Sequence, residues 1–134
     1  MDRKDFLLSA CALCGVATAL STIQGCSKDV APTNFTLDLS SSSNAALANV
    51  GGYVIANNGN TYVTRTSTTS FLALSLACTH QGTTVIYNSA TAQFTCPNHH
   101  SQFASNGAVQ SGPASTNLNV LNVTQSGNIL TIKS

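Results

Sequence analysis

Beyond its first 34 residues the chain carries no helical hydrophobic period of useful length; apolar side chains come in short runs punctuated by Asn, Gly, Ser and Thr. Phe35–Leu39 alternates apolar and polar positions, the period of a strand with one buried face. Ser40–Ala48 is small and polar and predicts a loop or one weak helical turn. Val50–Ala56 and Thr61–Arg65 flank Asn57-Asn58-Gly59-Asn60, residues that accept left-handed turn angles, so these runs predict a hairpin with Tyr62 in the core or on a sheet face. Phe71, Leu72, Leu74 and Leu76 mark a buried extended run. Val85–Tyr87 and Gln93–Thr95 pair around residues 88–92, and Val109 centres another brief strand. Leu118–Val123 and Ile129–Ile132 pair across Gln125-Ser126-Gly127-Asn128. The expected fold class is all-β, built from short antiparallel strands.

The first residues differ in kind. Arg3 and Lys4 precede Phe6–Leu20, a mostly apolar run with only small or uncharged interruptions, which is the layout of an export signal. Arg3-Lys4-Asp5-Phe6-Leu7 is similar to a weakened twin-arginine signal, a route for proteins exported already folded around a cofactor. Ile23-Gln24-Gly25-Cys26 resembles a bacterial lipobox, with Cys26 as the lipidated terminus. The alternatives are Phe6–Ile23 retained as a membrane helix, roughly 18 residues and at the short end of spanning length, or simple secretion. The resulting organisation is residues 1–25 as export signal or membrane anchor, 26–34 as a flexible tether and 35–134 as the folded domain. Its place is the periplasmic or outer side of a bacterial cell, attached to the membrane through a lipid or the N-terminal helix.

The chain has 134 residues, room for one domain. From Cys26 onward its charged side chains are Lys28, Asp29, Asp38, Arg65 and Lys133. So sparse a set offers no basic patch for nucleic acid and no field to steer a partner. Cys11 and Cys14 lie inside the apolar run and read as small hydrophobes rather than a redox pair. With Cys26 processed, Cys78 and Cys96 are the remaining thiols, too few for a disulfide framework once both serve as ligands.

Those two thiols head the modules that carry the chemistry. Cys78-Thr79-His80-Gln81-Gly82 and Cys96-Pro97-Asn98-His99-His100-Ser101-Gln102-Phe103 each set a cysteine beside a histidine in a stretch suited to a tight loop. Two sulfurs and two nitrogens suit zinc, as a stabilised structural or binding module without redox activity, or an iron–sulfur cluster. An iron–sulfur cluster would take both cysteines on one iron and both histidines on the other, so each loop contributes to each iron.

The two modules resemble the cluster-binding loops of the Rieske family, C-T-H-x-G-C and C-P-C-H-G-S-x-F/Y. The match covers Cys78, Thr79, His80 and Gly82, then Cys96, Pro97, His99, Ser101 and Phe103, with Gly112-Pro113-Ala114 similar to the family's cluster-covering turn. It extends over about Thr36–Ile132. The resemblance implies a Rieske-like antiparallel β-sandwich with an inserted cluster-binding subdomain at about 78–106. It also implies one [2Fe-2S] cluster per subunit, held by Cys78, His80, Cys96 and His99. Ser101 takes the position whose hydroxyl donates to a bridging sulfide, Thr79 and Gln81 shape the first loop, Gly82 and Phe103 stand around the ligands, and Pro113 stiffens the turn beside the cluster. With all iron positions filled by side chains, the implied activity is one-electron transfer, without an independent substrate site. The implied partner is a redox protein or an oxidoreductase large subunit, as in the family's quinol-oxidising complexes and arsenite oxidase. The mononuclear-iron domain of the family's oxygenases would not fit in a chain of this length.

The chain departs from the family pattern at three places. Many members tie the loops by a disulfide whose positions are here Thr83 and Asn98. The glycine after the second histidine ligand is His100, where a positive φ would strain a histidine. High-potential members have tyrosine at the position of Phe103, so one hydroxyl donor to a cysteine sulfur is missing. A register slip making His100 a ligand is opposed by Cys96, Pro97 and Ser101, which hold the motif in place.

Overall fold

A computed structural model describes residues 33–134; the leader, the lipobox at Cys26 and most of the tether lie outside them. The strands are β1 (Asn34–Asp38), β2 (Tyr53–Ala56), β3 (Thr61–Arg65), β4 (Phe71–Ser75), β5 (Ile86–Asn88), β6 (Gln93–Thr95), β7 (Gln102–Ala104), β8 (Val109–Ser111), β9 (Val120–Ser126) and β10 (Ile129–Lys133). They form a six-stranded sheet in the order β1-β10-β9-β4-β3-β2 and a four-stranded sheet in the order β5-β6-β7-β8, with every pairing antiparallel. Among the described residues no helix is long and apolar enough to cross a membrane.

Strand periodicity explains how one sheet serves two cores. In β3 and β4 successive side chains point to opposite faces. Val63 and Ala73 therefore join Leu121, Leu130 and Ile132 in a core inside the six-stranded sheet. Tyr62 and Leu74 point the other way and join Cys78, Phe94, Cys96 and Phe103 in a second core, shared with the ligand-bearing part. The six-stranded sheet is joined at β4 and β9 by only two residue pairs, Ala73↔Leu121 and Leu74↔Val120. Its two halves curl about this seam and pack their inner faces together, which makes the sandwich. Leu72 and Leu76 serve the second core, as core packing requires.

The hairpin at 57–60 forms as expected: Asn57, Asn58 and Gly59 have φ of 54°, 56° and 86°. Other boundaries move. Ser42–Ala48 is a seven-residue 3-10 helix rather than a loop or a single weak turn. Its Leu47 is fully buried in the sandwich core, a burial that contributes about 2 kcal/mol. Val50 lies in the turn before β2 and is exposed, so that strand begins three residues later, at Tyr53. β9 continues to Ser126, leaving Gly127-Asn128 as the turn into β10. The short strand β7 was not expected. The four-stranded sheet runs to Ser111, past the limit near Asn106 drawn from the motifs.

Arg65 is not a free surface charge. Its Nε donates to the Leu47 carbonyl, another guanidinium nitrogen donates to the Thr68 carbonyl at 2.6 Å, and the group lies 4.4 Å from the centre of the Phe71 ring. It seals the 3-10 helix onto the sandwich.

Candidate metal centre

The two motif loops have the same backbone construction. After β4, the Cys78 N–H donates to the Thr83 carbonyl at 2.8 Å and the Gly82 N–H donates back to the Cys78 carbonyl at 2.7 Å. Between β6 and β7, the Cys96 N–H donates to the Ser101 carbonyl at 2.8 Å and the His100 N–H donates to the Cys96 carbonyl at 2.9 Å. Gly82 and His100 take corresponding corners with φ of 79° and 62°. The positive φ expected at the family's glycine position is thus adopted by a histidine, a residue type enriched among the few that tolerate it.

This construction sorts the four donors by depth. Cys78 and Cys96 open their loops at the top of the second core and are 3% and 2% exposed. His80 and His99 project from the loop tips and are exposed, with ring centroids 4.9 Å apart and planes at 83°. Burial alone would push the Cys96 thiol up. The backbone N–H groups of Asn98 and His99 and the Cys78 side chain outweigh it and hold that thiol below its ordinary value, which favours the thiolate a metal needs.

The arrangement can be tested for fit with an iron–sulfur group. Among the described residues no three His, Cys, Asp or Glu side chains converge on a single ion. A sulfur pair buried at the start of the loops and an imidazole pair exposed at their tips suit a two-iron core, one pair to each iron. Ser101 is fully buried, its Oγ accepts the Ala114 N–H at 3.1 Å, and its own proton goes to no acceptor among the described residues. A buried donor in want of an acceptor at this place fits a bridging sulfide.

Other expected residues fall around this centre. Phe103 is fully buried opposite Phe94, its apolar ring below the loops. Gly82 is exposed at its loop corner, and Pro113 is exposed beside Ser101's partner Ala114. His100 is exposed, next in the chain to His99. Thr83 and Asn98 form no covalent tie; the Asn98 amide nitrogen instead reaches the Gln81 side-chain oxygen at 3.4 Å. Cys26 lies outside the described residues. Two contacts went unforeseen: Thr79 Oγ1 donates to the Thr116 carbonyl at 2.8 Å, and Ala114 donates to Ser101. Both join residues far apart in the chain, which no local pattern signals.

Over 75 residues, 56% of this chain and 39% of the relative, the sequence is 35% identical to the cytochrome b6-f complex iron-sulfur subunit of Synechococcus sp. (strain JA-3-3Ab). Over 46 residues, 34% of this chain and 26% of the relative, it is 46% identical to the subunit of the same name in Prochlorococcus marinus (strain MIT 9303). The chain spans less than half the length of these curated relatives. The crystal structure of the plasma membrane Rieske protein of Synechocystis PCC 6803 superposes with a TM-score of 0.51 at 30% identity, covering 62% of this chain and 85% of that one. Naphthalene 1,2-dioxygenase shares the fold, with a TM-score of 0.55 at 23% identity, over 75% of this chain and 25% of that one. The model of the Rieske [2Fe-2S] domain matches residues 43–123. This chain therefore belongs to the Rieske [2Fe-2S] domain family, with one such cluster per subunit.

Proposed function

We propose that this protein is an exported, membrane-tethered one-electron carrier, free-standing or as the electron-transfer subunit of an oxidoreductase. Cys78 and Cys96 hold one iron of its cluster and His80 and His99 hold the other. The observation that carries the ligand assignment is the sorting of donors by depth, sulfurs buried and imidazoles at the tip. When bound, the cluster supplies a centre that takes up and releases one electron with no coordination position left for a substrate.

The chain's own residues then have separable tasks. The cysteine pair faces the second core, which keeps water from the sulfur side. The imidazole edges lie at the surface, where a partner can approach within electron-transfer reach. Ser101 provides a donor toward sulfur, and Phe103 fills the space below with apolar area. Burial pushes the Tyr62 phenol far above the usual tyrosine value, the neighbouring Tyr87 adding to it against Thr64, so this ring stays a neutral wall of the core.

Partnership with a larger oxidoreductase is supported by the names of the relatives, subunits of a cytochrome b6-f complex. Export and tethering rest on the Arg3-Lys4 start, the apolar run and Cys26. Purified protein should be reddish-brown, with equal iron and acid-labile sulfide in the proportion of a [2Fe-2S] cluster and a reduced-state paramagnetic signal. A colourless protein carrying zinc would overturn the reading. Fractionation of the native cell should place the chain on the outer face of the membrane; recovery from the cytosol would refute export.

A further inference from the structure

The backbone at Gly112 lies directly on Ser101. A Cβ at Gly112 would stand 2.4 Å from the Ser101 Cα, 2.9 Å from its nitrogen and 2.9 Å from its Oγ. Its φ of 97° is also one that side chains rarely adopt. Only glycine permits this approach, and the approach brings the Ala114 N–H within 3.1 Å of the Ser101 hydroxyl.

The chain builds the approach from both ends. In the β7–β8 pair, Gln102 faces Ser111 and Phe103 faces Val109, so Gln110 is an extra residue, a β-bulge. Such bulges bend a strand and re-aim its continuation. Gln93 Nε2 donates to Gln110 Oε1 at 2.9 Å, and Ser111 Oγ donates to Gln102 Oε1 at 3.2 Å, which pin the bend. Downstream, the Thr116 carbonyl accepts the Thr79 hydroxyl at 2.8 Å, fastening the segment to the other ligand loop.

A serine hydroxyl is otherwise free to rotate among staggered positions. With one lone pair engaged by Ala114, its proton is confined to the remaining directions, and no described residue accepts it. We infer that Gly112 and the Ala114 N–H are positioning residues that aim the Ser101 O–H and, through it, set the reduction potential, while touching no iron ligand position themselves. This inference rests on the reading that Ser101 donates to the cluster. A donor aimed at sulfur favours the reduced, more negative state only while it stays aimed.

A double-mutant cycle tests it, with potentials from protein-film voltammetry on cluster-loaded wild type, Gly112→Ala, Ser101→Ala and the double variant. The expected result is that Gly112→Ala lowers the potential in the Ser101 background and adds nothing once Ser101 is Ala. The same shift in both backgrounds would mean that Gly112 acts through packing or water access, and would overturn the inference. No shift with Ser101→Ala alone would instead remove the donor reading beneath it, so the two failures are distinct. If Gly112→Ala loses its cluster, Ala114→Pro takes its place in the cycle, since it deletes the N–H and leaves Gly112 in contact; the same expectations apply. Hydrogen–deuterium exchange gives an independent readout: the Ala114 amide should exchange slowly in wild type and fast in Ser101→Ala. Equal exchange in the two proteins would overturn the Ala114–Ser101 link.

Discussion

Gly82 and His100 are structural counterparts, each closing its loop by donating an N–H to the leading cysteine's carbonyl from a left-handed φ, 79° and 62°. One residue is free to adopt that angle and the other is strained by it. His100→Gly is expected to stabilise the domain by about 0.5–1 kcal/mol, the strain relieved less the entropy that glycine adds. Gly82→Ala should destabilise by about 1 kcal/mol through φ alone, because nothing lies within 4 Å of the added Cβ. Denaturant unfolding of the three proteins checks both signs.

The same histidine separates geometry from ligation. His99→Ala should abolish the oxidised cluster spectrum, and His100→Ala should leave it largely intact. The reverse pattern in visible absorption would reassign the second nitrogen ligand.

The loops are joined without a covalent bond. Among the described residues the cysteines are Cys78 and Cys96, both unpaired; besides the His80–His99 ring contact and the Cys78–Cys96 approach, the loops meet in the 3.4 Å approach of Asn98 to Gln81. A hydrogen bond this long is weak. Asn98→Ala should therefore cost no more than about 0.5 kcal/mol, against about 2–5 kcal/mol for loss of a structural disulfide. A thiol reductant should likewise leave the unfolding midpoint of the loaded protein unchanged. A large drop in calorimetry on adding the reductant would reveal a covalent tie.

Described residues carry three charged side chains, Asp38, Arg65 and Lys133, and Arg65 is occupied within the sandwich. Docking at the His80–His99 tip should then lack long-range steering. Stopped-flow electron transfer to the partner should change less than about twofold between roughly 20 and 200 mM salt. A steep fall would place the docking surface elsewhere or on the partner's field.

Phe103 is fully buried. Phe103→Tyr should raise the potential, because a hydroxyl donating to a cysteine sulfur favours the reduced state. The wild-type value is expected in the middle to upper part of the range for histidine-ligated clusters, roughly −150 to +300 mV. Voltammetry of both proteins decides, and a wild type near −400 mV would exclude histidine ligation.

Anchoring is tested at Cys26. Cys26→Ser should leave an unprocessed leader and remove the lipid-modified form, read by mass spectrometry of the N-terminus. An unmodified Met1 terminus on membrane-bound wild type would favour the retained helix.

The sequence by itself was enough for the family and for most strands, because both are read from local patterns. A cysteine and a histidine a few residues apart on a tight loop must lie close together, and Asn57-Asn58-Gly59 prefers left-handed turns in any context. Alternation in Phe35–Leu39 and in Leu72, Leu74 and Leu76 likewise announced which side chains would face a core, Leu74 and Leu76 buried and the others partly buried. Tertiary structure decided the rest. Leu47 is a core residue because the curled sheet needs a plug, although its neighbours are small and polar. The strand β7 exists because Phe94 and Phe103 pair across the four-stranded sheet. Ser101 meets Ala114 because a bulge at Gln110 turns the chain back onto it. Each of these contacts joins segments whose separation along the chain carries no periodic signal, so packing and backbone hydrogen bonding had to bring them together first.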